Sequence, residues 1–597
     1  MKPYIYSILL ALTCFWACKQ PNQETLNELV DEGVFEKSEL VEVLQTLVED
    51  TNVMKKYRFG DTLAYFYTDN KFDPIWALYM VNDSMAEPVL NTLYKSREDG
   101  LKPDYYQLDS IRNVLNRLKK GKKDELYREL ADLELLISDN VLSYHHDRVM
   151  GRTDPRVVFE GVYQLPKRNY ENFELLKVLD YDDYSNVLGE NTIADTGYVY
   201  LKDLLKTYLD RVDKGEQWFN IDTTGVRKLE PGDTTELLPQ IARKLAQIQV
   251  ITEKEMLEAD SHTYNKSFAK YVRRFQQRFG LFDDAVFGRK TFGLLNASLD
   301  DRINEIAANL ERIRWFKGPE EGIYVLVNLP AYELNLHYED SVKTMAVCIG
   351  KARPHDYDEK VKKAKETGKW WIKPADHQTP QIYSKIAYMV VNPTWNVPRS
   401  IISREMWYRM KRDSMYLANA GYGVFYKKKE IRSDTIDWSQ FKPSRLPFEI
   451  IQKSGEDNAL GKVKFIFPNK FSIYLHDTPQ KSKFKWHERS VSHGCVRIQD
   501  PLLMGEFLTQ AIDTMDSDDF RIHMGYEPLD EERLEEYDAE DTTARIQPLE
   551  DTHLIRLNEQ VPVFFVYRTM WYDQEWKLQY RNDVYRKNKH IIDAMNF

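Results

Sequence analysis

Apolar residues recur at steps of three and four through the N-terminal half of the chain. Leu126, Leu130, Leu133, Ile137 and Val141 fall on one face of a long helix. Residues 85–93 repeat that spacing behind Asp83-Ser84, a candidate N-cap. Gly100-Leu101-Lys102-Pro103 breaks the chain between helices. The same period marks 237–248, 263–279, 289–295 and 301–316, with Gly280-Leu281 and Phe287-Gly288 as punctuation. Beyond about 320 it gives way to short apolar or alternating runs at 323–327, 331–338, 344–349, 388–392, 464–467 and 472–475, which predict strands. A helix follows over 501–514, and 554–585 returns to strand character. The chain is thus read as multidomain α+β, mainly helical first and mostly β afterwards.

Composition narrows this picture. A chain of 597 residues is too long for one core, so three or more domains are expected. With 42% hydrophobic and 13% aromatic residues it is too apolar to be disordered. A net charge of −11 argues against nucleic acid as a partner. Met1-Lys2-Pro3 precedes an apolar run from 4 to 17 that is too short to span a bilayer, the pattern of a secretory signal. Cys18 directly after Ala17 points to a lipoprotein signal over 1–18, with lipidation of Cys18 and a membrane anchor. A plain cleaved signal is the alternative, since Phe15 and Trp16 stand where smaller residues are usual. The body is expected outside the cytoplasm, in the periplasm. Lys19, in place of an acidic residue, tilts the anchor toward the outer membrane. Residues 19–60 read as a polar tether with one helix.

Only four cysteines are present. Cys14 and Cys18 belong to the leader, and Cys348 lies in a strand-like run and reads as core packing. Cys495 stands in Ser492-His493-Gly494-Cys495-Val496-Arg497. His476 stands 19 positions upstream, in Tyr474-Leu475-His476-Asp477-Thr478-Pro479. A thiol needs a neighbouring base to take its proton and N–H donors to receive an oxyanion, and this pairing supplies candidates for both. Two plainer readings compete. Cys495 could be a small core residue. His476, His493 and Cys495 could instead be metal ligands, but no Cys-x-x-Cys or His-x-x-x-His accompanies them, so no metal is expected.

The segment 492–497 resembles the (S/T)HGCxR signature of YkuD-type L,D-transpeptidases, and His476 sits where that family places its general base. Further blocks resemble the large YcbB-like branch: Val327-Asn328-Leu329-Pro330, Asn392-Pro393-Thr394-Trp395-Asn396-Val397-Pro398, Asn458-Ala459-Leu460-Gly461 and Asn582-Asp583-Val584-Tyr585. The resemblance implies a helical scaffold domain over 61–228 and a three-helix peptidoglycan-binding-like domain over 229–300. It implies a catalytic domain over 301–597 with a capping subdomain at about 401–458. The usual acidic-Gly pair in the small domain's turn is replaced by Asp284-Ala285. Residues 352–378 form an insertion that the family lacks, with Lys362, Lys363, Lys365, Lys369 and Lys373 around Trp370 and Trp371. It is read either as a solvated loop or as a substrate or partner surface.

By the same resemblance Cys495 is the nucleophile, His476 the general base and His493 a loop or proton-transfer residue. Gly494 supplies backbone to the oxyanion hole. Ser492 and Arg497 are substrate-side residues; Ser492 also hydrogen-bonds in the turn, and Arg497 either binds a substrate carboxylate or, as the preferred reading, braces the loop through backbone carbonyls. Asp477 is not expected to orient the base, since its side chain would have to fold back on itself. No cofactor is implied. The implied partners are peptidoglycan tetrapeptide stems as donor and acceptor, with carbapenem-type inhibitors, and the implied reaction is a 3-3 cross-link made through a thioester. Hydrolysis by an L,D-carboxypeptidase or endopeptidase, transfer to a protein lysine, and a non-catalytic wall-binding lipoprotein remain alternatives.

Overall fold

The computed structural model of the chain describes residues 35–597 except 78–85, 121–124, 169–174, 180–187, 189–192, 194, 260, 317, 320–321, 340, 539–550 and 597. The expected leader, with Cys14 and Cys18, and the Asp83-Ser84 cap lie outside the described residues. No helix among the described residues is long and apolar enough to cross a membrane.

The N-terminal domain is built around the helix Leu126–Met150. All five residues of its expected stripe are buried, but so are Leu135, Ser138, Asp139 and Asn140 on its other faces. The helix is a spine surrounded by others, a placement that a single apolar stripe does not foretell. Its polar groups are buried because they are partnered. The Glu134 carboxylate accepts the N–H groups of Ile75 at 2.7 Å, Trp76 at 2.8 Å and Ala77 at 2.7 Å, and the Tyr67 hydroxyl at 2.6 Å. Those donors replace the water it lost. The helix Lys37–Glu49 lays Leu40, Leu44, Leu47 and Val48 into the same core. This corrects the expected tether over 19–60: from 37 onward the chain belongs to the domain. Each such burial contributes about 2 kcal/mol.

A second core gathers the helices Leu237–Gln247, Lys266–Arg278 and Arg289–Leu295. The helix Thr196–Asp213, expected with the N-terminal block, joins this core through Tyr198, Leu201, Leu205 and Tyr208. The helix Leu299–Trp315 spans both cores, giving Ile306 and Leu310 to one and Ala308 and Trp315 to the other. The Asp284-Ala285 turn keeps a left-handed residue without glycine, with Ala285 at φ +60°. Gln276 holds it: Oε1 accepts the Ala285 N–H at 2.9 Å, and Nε2 donates to Asp284 Oδ1 at 2.9 Å and to the Val286 carbonyl at 3.0 Å.

The strands follow in chain order as β1 (Tyr324–Asn328), β2 (Glu333–His337), β3 (Val342–Gly350), β4 (Tyr383–Val391), β5 (Trp395–Asn396), β6 (Tyr422–Tyr426), β7 (Lys429–Ile431), β8 (Glu449–Gln452), β9 (Val463–Ile466), β10 (Leu475–His476), β11 (Ser490–Ser492), β12 (Val496–Ile498), β13 (His553–Val566), β14 (Met570–Tyr572) and β15 (Leu578–Tyr580). Nine make one sheet in the order β11-β3-β12-β10-β9-β4-β13-β1-β2, and an additional β2–β3 pairing closes it into a barrel with β11 outside the ring. Closure leaves the ring without a free edge. The tail strand β13 sits inside this order, antiparallel to β4 and parallel to β1. Val325, Val347, Met389, Phe465, Val496 and Phe565 are among the residues that fill the core.

Two loops differ from the strand and loop expectations. The strand expected over 472–475 is reduced to Leu475–His476, because Ser472 takes φ +56° and the Asn469 side chain binds the backbone of Phe467, Phe471 and Ile473. The 352–378 insertion is folded, with a helix Tyr357–Thr367 and a short turn Trp370–Ile372. A separate sheet, β5-β8-β6-β7, has its own core around Ile402, Met406, Val424, Trp438 and Ile450, in the region expected as the cap.

Candidate active site

Strands β10 and β12 lie side by side and parallel, pairing Leu475 with Val496 and His476 with Arg497. The first carries His476 at its end, and the second begins one residue after Cys495. Strand pairing therefore brings together two motifs that lie 19 positions apart.

The loop before β12 is tied down from several sides. Gly494 has φ +127°, and a Cβ there would come within 3.1 Å of Ile473 Cδ1, so the position favours glycine. Ser492 is buried. Its Oγ accepts the Gly494 N–H at 3.1 Å and donates to the Cys495 carbonyl at 2.6 Å. Both roles of that hydroxyl are internal to the loop, which corrects its assignment as a substrate contact: Ser492 is a brace. The Gly494 N–H is likewise committed, which removes it from the expected oxyanion hole, whereas the N–H of Cys495 has no partner among the described residues. Thr379 bridges from outside, its Oγ1 donating to the Gly494 carbonyl at 2.8 Å and accepting the Gly350 N–H at 2.9 Å. Tyr585 donates to the Gly350 carbonyl at 2.7 Å.

His476 is 4% exposed. Its Nδ1 lies 2.5 Å from the carbonyl of Asp477. A carbonyl only accepts, so Nδ1 carries the proton and Nε2 is the basic nitrogen. The Asp477 carboxylate is engaged elsewhere, accepting from Lys462 N at 2.9 Å, Thr478 N at 2.6 Å and Lys481 Nζ at 2.6 Å. The base is oriented by a backbone carbonyl, with the Asp477 side chain uninvolved. Burial, followed by the nearby Arg497 charge, pushes the imidazole down to about 3. Burial pushes the Cys495 thiol up to about 11, opposed by the Tyr474 N–H and hydroxyl and by Arg497. At neutral pH the pair therefore rests as thiol and neutral imidazole. Cys495 Sγ donates to the Ser472 carbonyl at 3.8 Å, and among the described residues no hydrogen bond joins it to His476.

Tyr474 completes the cluster. Its ring is 5.6 Å from that of His476, and its hydroxyl lies near enough to the Cys495 thiol and to Trp395 of β5 for both to influence its ionisation. Burial, and after it the thiol, raises the phenol well above its usual range. Sequence reasoning quoted Tyr474 without giving it a role. The available signal was its position two residues before His476, which puts both side chains on one face of an extended segment.

His493 points to the cap, 2.5 Å from Glu405 Oε1, and packs edge-to-face on His377 of the insertion with ring centroids 4.9 Å apart. The Arg497 guanidinium is largely buried. Nη1 donates to Gln480 Oε1 at 3.1 Å and Nε has no partner, so no backbone carbonyl takes up its charge among the described residues. Cys348 is buried and faces Arg497 across β3 and β12. Among the described residues no three His, Cys, Asp or Glu side chains converge to hold a metal ion.

The arrangement can generate a thiolate by proton transfer and receive negative charge at the Cys495 N–H, with the Tyr474 hydroxyl and the Arg497 charge close by. Comparison with known proteins bears on the family of the domain that holds this site. Residues 322–511 match the family described as the L,D-transpeptidase catalytic domain, and residues 61–205 match the scaffold domain. A Haemophilus influenzae protein named "Putative L,D-transpeptidase" is 30% identical over 197 residues, which is 33% of this chain and 35% of that protein. The match therefore spans about a third of the relative's length. A crystal structure of an L,D-transpeptidase from Xylanimonas cellulosilytica aligns with 49% of this chain and 93% of its own at 13% identity, with a TM-score of 0.15.

Proposed function

We propose, for a chain that carries a YkuD-type L,D-transpeptidase catalytic domain together with a scaffold domain, that it joins two peptidoglycan stem peptides through a Cys495 thioester. The observation that supports this reading most directly is His476, held by the Asp477 carbonyl as the Nε2-basic tautomer beside the Cys495 loop. In the first half-reaction Nε2 takes the thiol proton and sulfur attacks the carbonyl that follows the L-centre of a tetrapeptide stem. The oxyanion is received by the Cys495 N–H and the Tyr474 hydroxyl. Terminal D-Ala departs as the amine, protonated by the imidazolium, and leaves a thioester. In the second half-reaction Nε2 takes a proton from the side-chain amine of an acceptor stem, and the new amide forms as the thiol is released. The product is a 3-3 cross-link. No external redox agent or cofactor enters the balance.

The N-terminal sequence supports an exported protein held to a membrane, preferably the outer one, through lipidated Cys18. The domain over 229–300 is read as a peptidoglycan-binding or spacing element. Carbapenems fit as acylating inhibitors because their strained carbonyl meets the same thiol.

Incubating the protein with purified tetrapeptide muropeptides and resolving the products by mass tests the reading. Cross-linked dimers that vanish in Cys495→Ala support it. Tripeptides without dimers would assign the same thioester to hydrolysis, and no D-Ala release at all would refute the thiol mechanism. A mass increment on Cys495 after carbapenem treatment is the matching chemical readout.

A further inference from the structure

We infer that the 352–378 insertion is a docking surface for the anionic glycan–peptide polymer, set beside the nucleophile loop. This rests on the proposed wall substrate and adds a second binding site for it.

Position is the first argument. Both ends of the insertion reach the active site. Gly350 and Lys351 pair with Ser492 where the insertion leaves β3. Where it returns, the ring of His377 packs on His493, and a Cβ on Gly350 would meet the His377 carbonyl at 1.7 Å. The base is clipped shut: Arg353 Nη2 and Nε lie 2.6 and 3.0 Å from Asp376 Oδ2, and the Arg353 guanidinium stacks on Tyr357 at 4.5 Å. A segment anchored this way holds its surface in a fixed place relative to Cys495.

Charge and shape are the second argument. Between 360 and 373 there are six lysines against one glutamate, in a chain whose net charge is −11. Lys360 pairs with Asp356 and Lys362 faces Glu366 at 4.0 Å, while Lys363, Lys365, Lys369 and Lys373 have no side-chain partner among the described residues. The helix packs inward through Tyr357 and Ala364, so these lysines look outward. The turn after it presents Trp370, 60% exposed, and Trp371, 78% exposed, with no ring partner among the described residues. Two adjacent exposed indoles oppose burial of the apolar surface that folding normally hides. Flat apolar rings among free ammonium groups complement a polymer that alternates sugar rings with peptide carboxylates: the rings cover sugar C–H faces and the lysines meet the carboxylates. A lipid surface with anionic headgroups shares the charge but offers no defined spacing to a rigid turn next to a catalytic loop.

The test reads binding alone, on the full chain carrying Cys495→Ala. Cosedimentation with purified peptidoglycan sacculi is compared for that protein, for Trp370→Ala with Trp371→Ala, and for Lys363→Gln with Lys365→Gln, Lys369→Gln and Lys373→Gln. Each set should weaken binding by roughly tenfold at about 0.1 M salt. The parent's binding should also fall at about 1 M salt, where screening shortens the Debye length to about 3 Å. Melting temperatures within error of the parent show that the exposed substitutions leave the fold intact. Sacculus binding unchanged in both sets overturns the inference. Loss of binding to phosphatidylglycerol vesicles with sacculus binding retained overturns it in favour of a membrane surface. Because the nucleophile is absent throughout, failure of the transpeptidase reading and failure of this one give different results.

Discussion

The hydroxyl of Ser492 donates to the carbonyl of Cys495 at 2.6 Å, so the residue that begins the nucleophile motif fixes the backbone of the one that reacts. The same oxygen accepts the Gly494 N–H. Ser492→Ala leaves both groups without a partner in a buried turn. Because small misplacements of a reacting group are costly, kcat/KM for D-Ala release should fall about tenfold to a hundredfold. Ser492→Thr, which keeps the hydroxyl, should stay near the parent. An Ala variant as active as the parent would show that the turn holds without the brace.

The thiol pushed up to about 11 and the imidazole pushed down to about 3 have a consequence for reactivity. Only the thiolate is alkylated, and it is scarce at neutral pH when the thiol's pKa is raised. In a Cys348→Ala protein, the iodoacetamide rate at Cys495 should climb about tenfold per pH unit from 7 to 10. A rate that is flat from pH 6 to 9 would instead reveal a preformed thiolate–imidazolium pair.

Tyr474→Phe removes the hydroxyl near the thiol while keeping the ring beside His476. Loss of a donor to developing charge is expected to lower kcat by about a hundredfold with KM little changed. Equal losses in ground-state binding, read as a raised KM alone, would place Tyr474 outside the charge-stabilising set.

Glu405 and His493 join the cap to the nucleophile loop. An exposed pair contributes only about 0.5 kcal/mol, so Glu405→Gln should leave global stability unchanged. It should, however, raise amide hydrogen exchange in residues 395–452 and lower kcat/KM by about threefold. Unchanged exchange in the cap would mean that its own core and the Trp395 contact suffice to hold it.

Gln276 holds the glycine-free turn of the three-helix unit with three hydrogen bonds. Gln276→Leu keeps the volume but leaves the Ala285 N–H buried without an acceptor. A destabilisation of about 3 kcal/mol is expected in urea unfolding followed by amide hydrogen exchange in residues 229–300. A loss below about 1 kcal/mol would mean that Ala285 holds its left-handed conformation unaided.

Much of this protein was legible along the chain. The period of three and four located the helices of the three-helix unit to within a few residues and the start of the helix Leu126–Met150, whose last eight residues lie beyond the run over 126–142, because an apolar stripe needs no partner to be recognised. The motif around Cys495 and the strand-end position of His476 were local signals as well. Less legible were the features that depend on what lies opposite. A polar residue such as Glu134 gives no hint that backbone N–H groups nearly sixty residues earlier will surround it. The helix Lys37–Glu49 reads as part of a tether because the stretch before it is polar and acidic, with Glu24, Glu28, Asp31, Glu32 and Glu36, and nothing in it shows what the four buried aliphatics of the helix will meet.

The sequence by itself determined the α+β order of the chain, the candidate nucleophile and the candidate base, since each rests on residue type and short-range spacing. The tertiary structure alone decided their surroundings. Parallel pairing of β10 with β12 sets His476 against Arg497, the Asp477 carbonyl selects the tautomer, and the Ser492 hydroxyl claims the Gly494 N–H. Glu405 and His377 reach His493 from segments 88 and 116 residues away in the chain. Hydrogen bonds and burial act through space, and a linear pattern carries no record of which distant groups will compete for one donor.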